Sequence, residues 1–445
     1  MDKRVGRMWT CLTIGGIILA CACTATGIVG VSWLAYQTNP LSQSAPASAT
    51  IGRIAYVGED GNIYTIAPDG SHQQAVTRDQ PASVDQYNAL AWSLDGRLAF
   101  ASSTDKGSAL FISQPDGSDR RQVFSGGPDV VPFYLYWSPN GQQLAFLTPS
   151  QSNRLALWIA ASHDADSAET IAQGSPSYFS WAPDSRSLLM HIGSVQGAPG
   201  ETHMAIFNSS QSRLTELPDA PGSFQAPAWS PDNQRFLFVR QADNQTNELV
   251  IAEGQDRRAL VSSRTGLAFA WSRRGDRIAF ATPSPADRLL YSSITVLDPG
   301  GKERRMVAQG QIMAFFWSPD GKQLATLNLA ANQPEQQGRA IPVRTEAMHA
   351  PQSADLRLVW SVVNATDGTS VDFPSFHPTD PFLLLLPYFD QYAQSLSLWS
   401  PDGRYLVYAD LDEQDRPSIR VLDTLQLQQP ARRLADGTFA AWSWH

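Results

Sequence analysis

Eight tryptophans stand in nearly the same short phrase along the 445-residue chain. Successive tryptophans lie 45, 44, 48, 42, 46, 82 and 43 residues apart. Apart from the one long interval, this spacing matches the ~40–45 residues of a four-stranded propeller blade, so we expect an all-β repeat protein. The phrases are AWSLDG (Trp92), YWSPNG (Trp137), SWAPDS (Trp181), AWSPDN (Trp229), AWSRRG (Trp271), FWSPDG (Trp317), LWSPDG (Trp399) and AWSWH (Trp442).

Each phrase has the composition of a strand end, a tight turn and a new strand. In residues 318–321, SPDG, proline presets φ at the second turn position, aspartate suits the third and glycine tolerates positive φ at the fourth. Ser185 takes the glycine position in one copy, so we expect a distorted turn there. Large apolar residues seven and nine places after the tryptophan predict a strand with one face packed between blades. Such pairs include Leu144 and Phe146, Leu188 and Met190, and Phe236 and Phe238.

The two ends of the chain are complementary parts of one unit. Residues 52–67 carry two strands without a preceding tryptophan phrase, and residues 439–445 carry a phrase without a following strand. Pairing them closes the ring and removes two exposed sheet edges. We therefore predict an eight-bladed β-propeller at 51–445, closed by its N- and C-terminal strands. The 82-residue interval predicts one enlarged blade at 313–394, with a hidden ninth blade as the alternative.

The first fifty residues differ from the repeats. Residues 1–7 carry three basic side chains, and residues 8–36 contain no ionised side chain over 29 positions. A helix of ~20 apolar residues spans a bilayer core, and a basic N-terminal flank favours a cytoplasmic N-terminus. We expect a cytoplasmic tail at 1–7, an uncleaved transmembrane signal-anchor helix at 8–36 and a polar linker at 37–50. The protein would then be single-pass in the cell membrane, with the propeller outside the cytoplasm.

Cysteine usage and charge narrow the function further. Cys11, Cys21 and Cys23 all lie in the apolar segment, so disulfides and thiol chemistry are excluded from the propeller. They fit a membrane helix as small apolar residues. The alternative is a lipoprotein anchored at Cys21, because residues 18–21 loosely resemble a bacterial lipidation site.

The formal net charge is −9, and an acidic domain repels phosphate backbones, so we expect no nucleic-acid partner.

The phrase WSPDG followed by strands such as KQLATL or RYLVYAD resembles the TolB-like, WD-repeat-related β-propeller family. The resemblance covers residues 52–445 and implies the propeller fold. The group includes periplasmic scaffold proteins, propellers that gate serine peptidases and uncharacterised surface proteins. The resemblance implies a TolB protein that is soluble, with an α/β domain ahead of a six-bladed propeller. Here we expect only a linker ahead of the first strand and a higher repeat count, so the partners of TolB are not carried over to this chain.

The sequence contains no familiar catalytic signature. It lacks the G-x-S-x-G elbow, H-E-x-x-H, the P-loop and zinc-spaced Cys/His pairs. Turn chemistry accounts for the repeated turn aspartates without calcium. We therefore expect no catalytic or metal-binding residue, no cofactor and no cofactor-binding residue. The turn aspartates are Asp95, Asp184, Asp232, Asp320 and Asp402.

The irregular segment 371–394 contains six aromatic residues and four consecutive leucines. Insertions on propellers lie at the ring faces, where binding usually occurs, so we interpret part of it as a surface for a partner protein or small ligand. For residues 383–386, burial against the enlarged blade is the favoured interpretation, and for 388–392 burial and binding are both open. The candidate binding residues are Phe376, His377, Tyr388, Phe389, Asp390 and Tyr392.

Three classes of function fit these patterns. The leading hypothesis is a membrane-tethered, non-enzymatic propeller that binds a protein or a ligand. The second is an enzyme of lyase or glycosidase type with its site in the central channel, which converging His, Glu and Asp side chains would favour. The third is a structural or sensory ectodomain of a membrane complex. A propeller is a scaffold for many activities, so the fold does not choose among them.

Overall fold

The computed structural model describes residues 51–78, 86–150, 154–175, 177–193, 202–222, 225–243, 245–264, 266–284, 290–330, 356–427 and 429–445. The predicted transmembrane helix, the linker and the lipidation alternative at Cys21 therefore lie outside the described residues. Within the described ranges, no helix is long and apolar enough to cross a membrane.

The described residues form mostly β-strands. The first fifteen are β1 (Ile54–Gly58), β2 (Ile63–Ile66), β3 (Gln74–Ala75), β4 (Gln86–Trp92), β5 (Leu98–Ser103), β6 (Ser108–Ser113), β7 (Arg121–Gly126), β8 (Phe133–Trp137), β9 (Gln143–Pro149), β10 (Leu155–Ala161), β11 (Glu169–Gly174), β12 (Ser177–Trp181), β13 (Ser187–Ile192), β14 (His203–Asn208) and β15 (Arg213–Glu216). The others are β16 (Ala228–Trp229), β17 (Arg235–Asp243), β18 (Thr246–Glu253), β19 (Asp256–Ser263), β20 (Ala268–Trp271), β21 (Ile278–Pro283), β22 (Tyr291–Leu297), β23 (Arg304–Trp317), β24 (Gln323–Leu329), β25 (Leu358–Asn364), β26 (Ser370–Asp372), β27 (His377–Pro378), β28 (Tyr405–Leu411), β29 (Pro417–Asp423) and β30 (Arg432–Trp442).

Consecutive strands pair antiparallel into small sheets that match the sequence repeats. Four sheets are complete four-stranded units, β4–β7, β8–β11, β12–β15 and β16–β19. The first strand of each unit ends on the repeat tryptophan: Trp92, Trp137, Trp181 or Trp229. The apolar positions predicted for the second strand are buried, and Leu144 and Phe146 are both 0% exposed. Ala145 and Leu147 on the opposite face are also buried, at 0% and 1% exposure, and belong to the adjoining core cluster. The expectation of one packed face is thus too narrow, because an inner strand has a neighbouring sheet on each side.

Two long strands join neighbouring units into seven-stranded sheets. In β23, residues 304–309 pair with β22 and residues 312–317 pair with β24. In β30, residues 432–436 pair with β29 and residues 437–442 pair with β1. Each long strand therefore ends one unit and begins the next. The predicted pairing of N- and C-terminal strands is confirmed, because Ile54 lies opposite Trp442 and Val57 opposite Phe439.

The repeat tryptophans link the units by hydrogen bonds. In six phrases the indole Nε1 donates to the carbonyl oxygen of the residue just before the tryptophan of the preceding unit. The bond from Trp92 to Ala441 joins the first phrase to the last, so the contact that links neighbours also closes the ring. The six pairs are Trp92–Ala441, Trp137–Ala91, Trp181–Tyr136, Trp271–Ala228, Trp317–Ala270 and Trp399–Phe316, at 3.0–3.2 Å.

The turns after the tryptophans share one backbone conformation. Their fourth residues have positive φ and donate their N–H to the carbonyl three residues earlier. The expectation of a distorted turn at Ser185 is wrong, because its φ is 63° and its N–H donates to the Ala182 oxygen at 2.9 Å. The Ser185 hydroxyl also accepts a hydrogen bond from the Asn140 N–H of the neighbouring unit at 2.9 Å. This bond offsets part of the cost of a left-handed non-glycine residue.

The long interval between Trp317 and Trp399 contains an insertion rather than a further unit within its described residues. Strands β24–β26 continue from β23, and residues 331–355 lie outside the described ranges. Two helices follow, α1 (Asp380–Leu385) and α2 (Phe389–Ser395), separated by a 3-10 turn at Leu386–Tyr388. Leu385 and Leu386 are buried and Leu384 is 60% exposed, so the leucine run packs mainly inward, as favoured.

Candidate functional site

The centre of the ring holds a cavity of about 400 Å³. Its walls are the ends of the innermost strands, where the repeat tryptophans lie. Seven units contribute the repeat tryptophan and the last contributes Trp444. Six of the seven repeat tryptophans are only 2–9% exposed, so they lie mainly between units, whereas Trp229 and Trp444 are partly exposed. The tryptophans that line it are Trp92, Trp137, Trp181, Trp229, Trp271, Trp317, Trp399 and Trp444.

The second residue of the turn lines this cavity in five complete phrases, and Trp444 takes the same position in the phrase AWSWH. Four of these residues are apolar, and the fifth is Arg273 in AWSRRG. Elsewhere a turn proline packs against the glycine of the next phrase, as Pro231 does beneath Gly275. At Gly321 the nearest neighbours are atoms of Ser272 instead. The Arg273 side chain thus does not cover the adjacent turn. The four apolar residues are Leu94, Pro139, Pro183 and Pro231.

Arg273 is the only basic residue among the described residues that line the cavity. Its guanidinium carbon lies 4.5 Å from the centroid of the Trp444 ring, in a cation–π arrangement. It is also close enough to Tyr136, from another unit, for electrostatic interaction with that phenol. The side chain is exposed to solvent in the cavity, yet desolvation by the surrounding protein lowers its pKa to about 10. It stays charged at neutral pH, at a cost in solvation.

Trp444 is held in place independently of Arg273. Its indole Nε1 donates to the Trp92 carbonyl oxygen at 2.8 Å. The preceding Ser443 donates its backbone N–H to the Arg53 oxygen at 2.8 Å. The closure of the ring therefore also places an aromatic face at the cavity, against which a cation from another unit stacks.

Helix α2 forms the floor of the cavity. Asp390, Ala393, Gln394 and Ser395 line it from this side. The helix contacts β8, β12, β20 and β23, which belong to different units around the ring. The Tyr134 hydroxyl donates to the Gln391 carbonyl oxygen at 3.0 Å, and the Phe389 ring lies 4.8 Å from that of Phe315. The insertion therefore occupies the channel and packs against its walls.

Asp390 is a buried carboxyl group on this floor. One of its oxygens accepts a hydrogen bond from the Ala226 N–H at 3.4 Å, and the other from the Gln391 N–H at 2.9 Å. Desolvation by burial outweighs these bonds and raises the pKa of Asp390 to about 6. Burial and the negative charge of Asp390 together raise the pKa of Tyr178 and Tyr291 well above the ordinary value.

The candidate residues from the sequence fall into two places. Phe376 is buried, with its ring 4.4 Å from that of Tyr408, and the neighbouring His377 is half-buried with no hydrogen-bond partner for Nδ1 among the described residues. The other four belong to the insertion in the channel. Of these, Asp390 lines the cavity, whereas Phe389 is buried and Tyr392 packs against Tyr134. Tyr388 is half-buried just before α2.

Sequence reasoning missed Arg273, Trp444 and Tyr136. The signal for Arg273 was present, because AWSRRG is the phrase in which an arginine replaces the turn proline. The signal for Trp444 was the second tryptophan of AWSWH. Nothing in the local sequence marks Tyr136, since it becomes part of the site only through the ring geometry.

The turn aspartates are engaged in the turns themselves. Asp320 Oδ1 accepts from the Ser318 hydroxyl at 2.8 Å and from the Lys322 N–H at 3.0 Å. In the part of the chain that the structure describes, no group of three or more His, Cys, Asp or Glu side chains is arranged to hold a metal ion.

Comparison with known proteins finds likeness at the level of structure. No protein-family model and no curated protein sequence matches the chain. TolB from Acinetobacter baumannii matches with a TM-score of 0.36 at 17% identity, covering 58% of this chain and 65% of that chain. The dihydro-heme d1 dehydrogenase NirN matches with a TM-score of 0.54 at 14% identity, covering 91% and 78%. A prolyl endopeptidase matches with a TM-score of 0.51 at 14% identity, covering 80% and 50%.

The chain thus spans less than two thirds of the length of that TolB structure. The matched proteins include enzymes as well as TolB, and at these identities the likeness concerns fold alone. The β-propeller fold that the sequence resemblance implied is confirmed by the two matches with a TM-score above 0.5.

Proposed function

We infer that the protein is a membrane-tethered, extracytoplasmic binding propeller with eight blades and no enzymatic activity. The observation that carries this proposal is the central cavity. Its wall includes the partly exposed Trp229 and Trp444, α2 forms its floor, and Arg273 supplies one cation. Concave, mostly apolar sites with a few convergent polar groups are the usual form of a ligand site.

The eight-bladed arrangement is supported by the eight tryptophan phrases and by the two strands that are shared between units. The tether is proposed from residues 1–36, whose basic flank and long apolar run favour a single-pass helix with the N-terminus in the cytoplasm. Lipidation at Cys21 is the alternative anchor. In both cases the cavity is presented outside the cytoplasm.

A site test uses the full-length protein in detergent micelles and a panel of small aromatic compounds, each as the acid and as the neutral amide. Saturation-transfer NMR reports which compounds bind. We expect binders, and we expect Ala393→Trp to abolish their signals, because Ala393 lines the cavity from α2. Leu384→Trp on the 60% exposed α1 position is the matched control and should leave binding unchanged. If no compound binds, or if Ala393→Trp binds normally, the cavity is not a ligand site.

One observation favours a central-channel enzyme of lyase or glycosidase type as a second candidate. Asp390 lines the cavity and has a pKa raised to about 6, close to the value that suits a general acid or base near neutral pH. Incubation with a panel of oligosaccharides, followed by mass spectrometry, tests it. Turnover that Asp390→Asn abolishes without loss of folding would replace the binding proposal.

A further inference from the structure

Within the proposed binding function, on which this inference rests, the chemistry of the ligand can be narrowed. We propose that the cavity binds a small aromatic monocarboxylate, whose carboxylate pairs with the Arg273 guanidinium while its ring packs against the partly exposed tryptophans of the wall, Trp229 and Trp444.

The first support is where Arg273 points. The position that it occupies, two residues after the repeat tryptophan, carries proline, leucine or Trp444 in the other phrases where it lines the cavity, so a cation there is a departure from the repeat. Its guanidinium stacks on Trp444 and interacts with Tyr136, which come from two other units. The charge is therefore held at the cavity by contacts with side chains of two other units.

The second support is that Arg273 has no carboxylate partner among the described residues. Two other arginines near repeat tryptophans do have one. Arg97 lies over Trp137 and pairs with Asp95 at 2.8 Å, and Arg235 lies over Trp271 and pairs with Asp232 at 2.7 Å.

In the phrase of Arg273, the residue at the usual turn-aspartate position is Arg274. The nearby Asp276 accepts a hydrogen bond from the Ser272 hydroxyl at 2.8 Å. The turn of Arg273 therefore lacks the aspartate that five other phrases carry at this position, Asp95, Asp184, Asp232, Asp320 and Asp402.

The third support concerns the kind of anion. A guanidinium presents a planar fork of donors that a carboxylate matches with two parallel hydrogen bonds. One cation balances one negative charge. The buried carboxyl of Asp390 on the floor disfavours a second charge deeper in the cavity. The partly exposed tryptophans of the wall, Trp229 and Trp444, favour a flat apolar body, and about 400 Å³ suits a molecule of one or two rings.

The test compares indole-3-acetate with indole-3-acetamide, and benzoate with benzamide, by isothermal titration of the full-length protein in detergent. We expect each acid to bind at least tenfold more tightly than its amide. In Arg273→Gln we expect the acids to fall to the affinity of the amides. Arg274→Gln is the matched control, because it removes the same charge from the same turn without lining the cavity.

Distinct results overturn the two proposals. If amides bind as well as acids in the wild-type protein, or if Arg274→Gln weakens the acids as much as Arg273→Gln does, the carboxylate assignment is wrong while the cavity remains a ligand site. Tighter binding of phenyl phosphate than of benzoate would also refute a monocarboxylate. If neither acids nor amides bind, the proposed function fails as well. A melting temperature for each variant shows that loss of binding is not loss of folding.

Discussion

The two ends of the central channel are built from the same strands but differ in what fills them. At the end where the tryptophan turns lie, the walls surround a cavity with an exposed arginine. Deeper in the channel, α2 fills the space and buries Phe389 and Asp390. The repeat residues form the wall at both ends of the channel. The residues that depart from the repeat, Arg273 and the α2 insertion, determine whether the channel is open or filled. A repeat fold is thus informative about function mainly where it is irregular.

Removing the ring closure should have the largest effect on stability, because both ends of the central channel depend on it. Deletion of residues 439–445 takes away the strand segment that pairs with β1, together with the buried Trp442. An unpaired, buried β1 edge loses its hydrogen bonds and its packing, so we expect loss of cooperative thermal unfolding by circular dichroism. The exposed His445→Ala is the control. A deletion variant that melts like the wild-type protein would contradict closure by these strands.

The packing of α2 in the channel is tested by Phe389→Ala. Phe389 is 1% exposed and contacts the rings of Phe315 and Tyr291, so its truncation should lower the free energy of unfolding by about 3–5 kcal/mol. Leu384→Ala, on the exposed face of α1, should change it by less than about 0.5 kcal/mol. Chemical denaturation measures both. Equal losses of unfolding free energy in the two variants would mean that α2 is not packed against the channel walls.

The buried carboxyl group of Asp390 on the cavity floor predicts that the stability of the protein depends on pH. The pKa of Asp390 is raised from 3.8 to about 6, so the native state holds this proton more tightly, and the contribution of Asp390 to stability falls as pH rises from about 4 to 6. Asp390→Asn should therefore be more stable than wild type by roughly 1–3 kcal/mol above pH 6, with the difference vanishing near pH 4.

The difference between variant and wild type is the quantity to measure, by urea denaturation at several pH values. Burial lowers the pKa of His191 to about 4, which gives an opposite slope that is common to both proteins and cancels. A difference that is constant from pH 4 to pH 8 would refute the account of Asp390.

The smallest expected effect on stability comes from removing one indole hydrogen bond between neighbouring units. Trp271 donates to the Ala228 oxygen at 3.2 Å, whereas the Trp229 Nε1 has no partner among the described residues. Trp271→Phe should cost about 1 kcal/mol more than Trp229→Phe, because only the former loses a hydrogen bond in addition to ring area. Melting temperatures of the two variants give the comparison. The reverse order would show that the indole bonds do not contribute to holding units together.

Local patterns anticipated much of the fold. The tryptophan spacing, the turn residues and the alternation after each turn predicted the units, their buried positions and the pairing of the two chain ends. The enlarged blade at 313–394 stays a prediction, because residues 331–355 lie outside the described ranges. Ser185 was misjudged, because its hydrogen bond to Asn140 comes from a neighbouring unit. The site was anticipated only in part: Asp390 was a candidate and lines the cavity, whereas Arg273 was not recognised.

The sequence by itself determined the repeating unit, because strand alternation and turn conformation depend on residues within a few positions of each other. Only the tertiary structure decided which side chains meet at the centre. Arg273, Tyr136, Asp390 and Trp444 are far apart in the chain, and they surround one cavity because the ring brings the ends of its inner strands together. That convergence depends on closure and on the insertion into the channel, which no local pattern encodes.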